Sequence, residues 1–306
     1  MSVLVIGSTN IDISIRVNRF PKKGETLLGS DISYKYGGKG ANQACALGKL
    51  GGDVTFLTCV GEDAHGHEII DSLKACGVDV SKVKYTNMHQ TGTAIINVDD
   101  NGDNTIIVVQ GANLECDVEY IKENEEAFAK CDYVLLQMEI PLNAIEEAIR
   151  LAAKYGKKVI LNPAPASDAL DKEVYKYITY MTPNETEIGI MAKQTGETKD
   201  LSDKLKTMGV KNVLVTLGSK GAILYKEDGS EVTSDAYKVN ALDTVAAGDC
   251  FNGAFVLGLD NGLSEKEAMQ FANAASGIAV TRSGAQESIP TYDEVKEFIN
   301  KSTLCI

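Results

Sequence analysis

Paired cysteines, clustered histidines and surplus positive charge are all missing from this chain of 306 residues. Its seven cysteines are an odd number with no CxxC spacing. That removes the usual zinc-binding and dithiol patterns and leaves reduced thiols in the cytoplasm as the natural reading. The three histidines include one close pair, His65 and His67, with no cysteine or third histidine beside them, so they read as surface residues and not as metal ligands. Basic residues number 30 against 43 acidic, a net charge of -13, which argues against nucleic acid or an anionic membrane as partner. No apolar run approaches the ~20 residues of a membrane span. Met1–Leu4 leads directly into a core-like strand, without the regions of a signal peptide.

What is present is ample apolar material, 44% of residues, enough for one large domain. Val3–Ile6 is a short continuous apolar run closed by Gly7, the pattern of a buried parallel strand. Further runs at 54–59, 133–137, 158–161, 213–216 and 223–225 alternate with amphipathic stretches at 63–76, 142–155 and 266–281. This βα alternation predicts a doubly wound α/β fold, a mostly parallel sheet with helices on both faces. Two segments depart from it, about 13–36 and 93–110, where apolar and polar residues alternate. The second contains Asp99-Asp100-Asn101-Gly102-Asp103, a hairpin signal. They are read together as a small antiparallel sheet within a single domain over 1–306, serving as a lid or a dimer contact.

The stretch 240–255 is where chemistry is expected. Small residues Ala246, Ala247 and Gly248 precede Asp249 and an apolar helical run. The unpaired N–H groups of such a helix start can hold a phosphate or a developing oxyanion, and a carboxylate there can accept a hydroxyl proton. A simple capped helix start fits the same residues. Other candidates lie at strand ends, where open α/β sheets carry ligand-binding groups. Asn10 and Asp12 follow the first strand two apart, suited to adjacent hydroxyls of a polyol, with an Asx-turn as the alternative. Gly37-Gly38-Lys39-Gly40-Ala41-Asn42 resembles a phosphate loop but lacks the GxxxxGK spacing, and its glycines are read as letting backbone approach a ligand. Glu139 ends another strand, and Asn184 with Glu187 share a face at a helix start, where a capping box fits equally.

Together and in this order, the segments NIDISIRV, GGKGANQACALGKLGG, NPAPA, PNETE, DTVAAGDCFNGAF and AVTRSGAQESIP resemble the ribokinase-like (PfkB) family of sugar and nucleoside kinases, from Gly7 to Pro290. The resemblance implies ATP-dependent phosphorylation of D-ribose at O5, with a kinase for deoxyribose, fructose or a nucleoside, or a sugar-binding protein without catalysis, as rivals. It makes Asp249 the base and the amides of Ala246, Ala247 and Gly248 the anion hole. Asn10, Asp12, Gly38, Lys39, Asn42 and Glu139 would hold the sugar. Asn184, Thr216, Gly218, Gly221 and Asn273 would line the ATP site, with Glu187 acting on Mg²⁺ through water. A K⁺ site is implied at Asp243 and Ser288, with the carbonyls of Val245, Ala279, Arg282 and Gly284. A homodimer formed through the lid is implied as well. Ala246, Val245 and Cys250 stand where the family more often has glycine, threonine and threonine.

Overall fold

The computed structural model describes residues 2–303; Met1 and residues 304–306, Cys305 among them, lie outside the described residues. The strands are β1 (Val3–Ile6), β2 (Asn10–Arg16), β3 (Asp31–Gly37), β4 (Val54–Leu57), β5 (Cys59–Gly61), β6 (Lys84–Thr86), β7 (Gly92–Val98), β8 (Asn104–Val109), β9 (Tyr133–Leu136), β10 (Lys158–Leu161), β11 (Ile178–Met181), β12 (Asn212–Thr216), β13 (Ala222–Tyr225) and β14 (Glu231–Ser234). The helices are α1 (Lys39–Lys49), α2 (Ala64–Ala75), α3 (Val118–Glu123), α4 (Glu125–Lys130), α5 (Leu142–Lys154), α6 (Glu187–Ala192), α7 (Thr198–Thr207), α8 (Ala247–Asp260), α9 (Glu265–Ala279) and α10 (Tyr292–Thr303).

The main sheet runs β14-β13-β12-β11-β10-β9-β1-β4, parallel from β4 to β12 and antiparallel at β13 and β14. In β1, Val3 and Val5 enter one core while Leu4 and Ile6 enter the other. A strand buried on both faces has no polar side to show, which is why its sequence is uniformly apolar. One core lies under α1, α2, α8 and α9, and the other under α3 to α7. On the first side small residues set the spacing. A Cβ at Gly253 would fall 2.7 Å from Ala46 Cβ, and one at Gly258 would fall 2.8 Å from Ala268 Cβ. Helix α8 therefore lies close against both α1 and α9, which sets its N-terminus beside α1.

The lid is a four-stranded sheet in the order β3-β2-β7-β8. The hairpins β2–β3 and β7–β8 are antiparallel as expected, but they join through β2 and β7 in parallel. Both of those strands leave the body at the same point, Asn10 opposite Gly92, and run outward side by side, so a purely antiparallel sheet is impossible. The sheet starts at Asn10, which makes Asn10 and Asp12 lid residues and not the tail of β1. The apolar run 54–59 is likewise two strands in two sheets. Between them the carbonyl of buried Thr58 turns out of the main sheet to accept from Lys84 N (3.0 Å) and Tyr120 OH (3.1 Å). Edge strand β8 exposes Ile106, Ile107, Val108 and Val109, each at least half accessible.

Candidate active site

Asp249 lies in the first turn of α8 and is 7% exposed. Two amides clamp its carboxylate: Asn42 Nδ2 donates to Oδ2 at 3.0 Å and Gln43 Nε2 to Oδ1 at 2.9 Å. Gln43 is itself anchored, since its Nε2 also donates to Asn162 Oδ1 (3.0 Å) and its Oε1 accepts from Gln137 Nε2 (2.7 Å). Asn162 donates in turn to Thr182 O at 3.0 Å. The Asp249 carboxylate is thus oriented by a buried relay through α1 and the ends of β9 and β10, in which Gln137 Oε1 alone of the Gln43, Gln137 and Asn162 amide atoms is buried without a partner. The acceptor of the same amide, Asn42 Oδ1, is buried and has no partner, a cost that a ligand hydroxyl would relieve.

The turn before α8 has an unusual backbone. Ala246 holds a left-handed conformation (φ 57°) as N-cap, a strained choice for a residue with a side chain. Ala247 N leans back to Thr244 O at 3.3 Å, so the outward-directed amides of the turn are chiefly those of Ala246 and Gly248. Asn252 braces the turn, donating to Gly248 O at 2.8 Å and accepting from Thr182 Oγ1 at 2.6 Å.

Around Asp249 stand Lys39, Glu139 and Asp12. Glu139 Oε2 accepts from Ser8 Oγ (2.5 Å) and from Lys39 N (3.0 Å). The Lys39 ammonium is held above its ordinary pKa, by Asp249 first and by Glu139, Glu187 and Asp12 as well, against its burial. Burial, then Glu139 and Asp249, push the Asp12 carboxyl up to about 7 against the pull of Lys35. Asp12 packs on Gly37, where a Cβ would fall 2.3 Å from its Oδ2. Asn10 is buried, and its Oδ1 accepts from Asn113 Nδ2 at 2.8 Å while Asn113 Oδ1 accepts from Thr9 N at 2.9 Å.

The glycines before and within α1 have a structural duty. Gly38 has φ 89°, and a Cβ there would lie 2.8 Å from Asn10 N; one at Gly40 would lie 2.6 Å from both Gly7 C and Ser8 N. The close approach at Gly40 is to the chain's own β1–β2 turn and not to a ligand.

The expected nucleotide residues form a second group. Asn184 bridges Thr216, and Gly218 follows in a left-handed turn open to solvent. Gly221 (φ 98°) packs on β14, where a Cβ would fall 2.1 Å from Ser234 O. Asn184 Oδ1 accepts from Thr186 N and Glu187 N, each at 2.9 Å, and Glu187 Oε2 accepts from Asn184 N at 2.8 Å. The reciprocal cap is therefore present, and burial raises the Glu187 carboxyl above its usual range. Asn273 spends its amide nitrogen on Ser234 O, Ser234 Oγ and Asp235 O (2.9–3.2 Å), leaving its carbonyl oxygen for other partners.

The third group joins two loops. Asp243 Oδ1 accepts from Val245 N and Oδ2 from Gly284 N, both at 3.0 Å. Ser288 Oγ donates to Ala285 O at 2.8 Å, and Ala279 O accepts from Arg282 N at 3.0 Å. Carbonyls and a carboxylate with serine are a hard-oxygen donor set that fits an alkali cation. Lys35 of the lid stands 3.9 Å from Asp243 Oδ2. Gln43, Asn162 and Asn252 lie inside the segments that carry the resemblance but without a signal of their own, and Asn113 and Gln137 lie outside them, because an amide in an apolar helix or at a strand end looks the same whether or not it is buried.

The chain matches the description pfkB family carbohydrate kinase over residues 1–292. It is 40% identical to ribokinase from Haemophilus influenzae over 305 residues, covering 97% of this chain and 98% of that one. It is 36% identical to deoxyribokinase from Salmonella typhi, covering 98% and 99%. The fold superposes with TM-score 0.91 on ribokinase from Arabidopsis thaliana complexed with ribose and ATP, at 34% identity and 97% and 98% coverage.

Proposed function

Because the chain belongs to the pfkB family of carbohydrate kinases, we propose that it transfers the γ-phosphoryl group of ATP to O5 of D-ribose. The observation that carries this reading is Asp249, a buried carboxylate clamped by two amides at a helix N-terminus beside Lys39. In this reading Asn10, Asp12, Gly38, Lys39, Asn42 and Glu139 hold the sugar, and the unpartnered Asn42 Oδ1 accepts from one of its hydroxyls. Asp249 takes the O5 proton as the phosphorus–oxygen bond forms. The outward amides of Ala246 and Gly248, with Lys39, hold the charge on the transferring group. Asn184, Thr216, Gly218, Gly221 and the Asn273 carbonyl line the nucleotide cleft. Glu187, whose charge reaches Lys39 as that of Asp249 does, suits Mg²⁺ held through water, an ion that neutralises charge on the phosphates when bound.

The loops pinned by Asp243 suit K⁺, with Ser288 and the carbonyls of Val245, Ala279, Arg282 and Gly284 as the remaining donors. The aliphatic residues of edge strand β8, exposed on both of its faces, support a homodimer through the lid. A cytoplasmic location rests on the six described cysteines being free thiols.

The test is ADP release from Mg·ATP with ribose, deoxyribose, fructose and adenosine, in potassium and then sodium buffer. Ribose preferred, with potassium stimulating, is the expected result. Preference for deoxyribose would keep the base and overturn the sugar assignment; no turnover with any of them would favour a binding protein.

Asp12 adds a pH signature. Its folded pKa of about 7 lies above the ordinary value of 3.8, so the site holds it neutral below about pH 7 and charged above it. The carboxylate is the stronger acceptor for a hydroxyl. The KM for sugar is expected to fall as pH rises through 7, and Asp12→Asn to flatten that profile. The sign for stability is opposite: the folded chain keeps between about pH 4 and 7 a proton that the unfolded chain has given up, so the contribution is full below about pH 4, falls as pH rises across that window and is gone above 7. Steady-state KM against pH checks the first statement and thermal midpoints the second.

A further inference from the structure

Away from these groups, two thiols touch. Cys45 lies on the buried side of α1 and Cys76 is the C-cap of α2. Their sulfurs are 3.0 Å apart, with the Cys45 thiol donating to Cys76 Sγ. The approach depends on Gly48, where a Cβ would fall 2.4 Å from Cys76 O. Cys45 is wholly buried, whereas Cys76 is partly exposed, so a reagent from solution reaches one sulfur and finds the second directly behind it. The charged groups facing Cys76 are Lys49 of α1 and Glu287 of the loop after α9. The hydrogen bond from Cys45 is the main reason the Cys76 thiol is lowered, with Lys49 assisting and burial and Glu287 opposing. Cys45, donating and buried, is raised. An accessible sulfur with thiolate character beside a protonated, buried one is the arrangement of an attacking and a resolving cysteine.

We propose that Cys45 and Cys76 form a reversible disulfide under a hydroperoxide, with Cys76 reacting first and Cys45 resolving it. The Cys76 thiolate attacks the peroxide oxygen; the O–O bond breaks, alkoxide or hydroxide leaves, and a sulfenic acid remains on Cys76. Cys45 sulfur then attacks Cys76 sulfur, the S–O bond breaks, and water departs with the Cys45 proton. Two thiols lose two electrons, and the peroxide bond receives them. A dithiol reductant reverses the link. The sulfurs need approach by only ~1 Å to reach bonding distance. The link would tie the end of α2 to α1, whose other end carries Lys39, Asn42 and Gln43 and whose Lys49 Nζ donates to Gln286 O (2.6 Å) and Ile289 O (3.2 Å).

The experiment is a hydrogen peroxide titration of the full chain, quenched in acid, with free thiols alkylated in denaturant and peptides mapped by mass spectrometry. The expected product is lighter by two hydrogens, joins the Cys45 and Cys76 peptides, and reverts with dithiothreitol. Cys76→Ser, a change at a partly exposed position, should lose the link and leave Cys45 alkylated. The wild-type map decides the matter even if that variant folds poorly. Cys76 carried to sulfinic acid with Cys45 still free, a link between Cys59 and Cys116 instead, or Cys76 unmodified when Cys250 has reacted would each overturn the proposal.

Discussion

Asp249→Asn is expected to lower kcat by at least about 10³-fold while changing sugar affinity only a few-fold. The magnitude is that of a general base working with a positioned anion hole, whose individual contributions are about 10²–10⁴-fold. The substitution keeps shape but reverses one bond. Asn42 Nδ2 and Gln43 Nε2 both donate to the carboxylate, and an asparagine offers an acceptor to only one of them. One of the two amide donors then faces an N–H in place of an acceptor, so the cost in stability should be about 1–3 kcal/mol. Steady-state kinetics with Mg·ATP and calorimetric sugar binding separate the two effects. A variant within tenfold of the wild-type kcat would remove Asp249 from the role of base.

Gly40→Ala is expected to cost about 3 kcal/mol of folding stability, at the upper end for overpacking. The added carbon would fall 2.6 Å from Gly7 C and Ser8 N, which are backbone atoms of the β1–β2 turn and not a side chain that could rotate away. Relief requires α1 to back off from β1, and α1 carries Lys39, Asn42 and Gln43. Sugar binding should therefore weaken together with stability. Gly196→Ala is the control, since its nearest neighbour to a new Cβ is 3.9 Å away and a change within about 0.5 kcal/mol is expected there. Urea unfolding of the two variants checks both; similar midpoints would mean that the turn yields more readily than its backbone contacts imply.

The same glycine shows what the sequence can and cannot convey. A glycine-rich turn before an apolar helix reads equally as a ligand cradle or as close packing, and only the positions of Gly7 and Ser8 decide for Gly40. Strand β1 was legible because burial on both faces leaves a continuous apolar run, and the lid hairpins were legible from the alternation of β2 and the turn residues Asp99–Asp103, although β8 itself is aliphatic and exposed throughout. The parallel join of β2 to β7 was not, since it follows from where two distant segments leave the body. Asp249, Lys39 and Asn42 announced themselves by residue type beside small residues. Gln43, Gln137 and Asn162, which orient the Asp249 carboxylate, did not, because a relay of amides has no spacing of its own and exists only once α1, β9 and β10 are side by side.

The lid's attachment also makes it a lever. Asn10, Gly37 and Gly92 face one another across adjacent strands at the root of the sheet, so any swing of the lid turns about that short line. Displacement grows with distance from it, at about 3.3 Å of strand per residue. Asn10 therefore sits at the pivot and hardly moves, Asp12 rides a short arm, and Arg16 with Val98 at the outer end travels furthest. In the proposed pocket, the hydroxyl held by Asn10 would be gripped in every lid position and the one held by Asp12 only near closure. The first contact then serves capture, and the second reports that the cleft has shut.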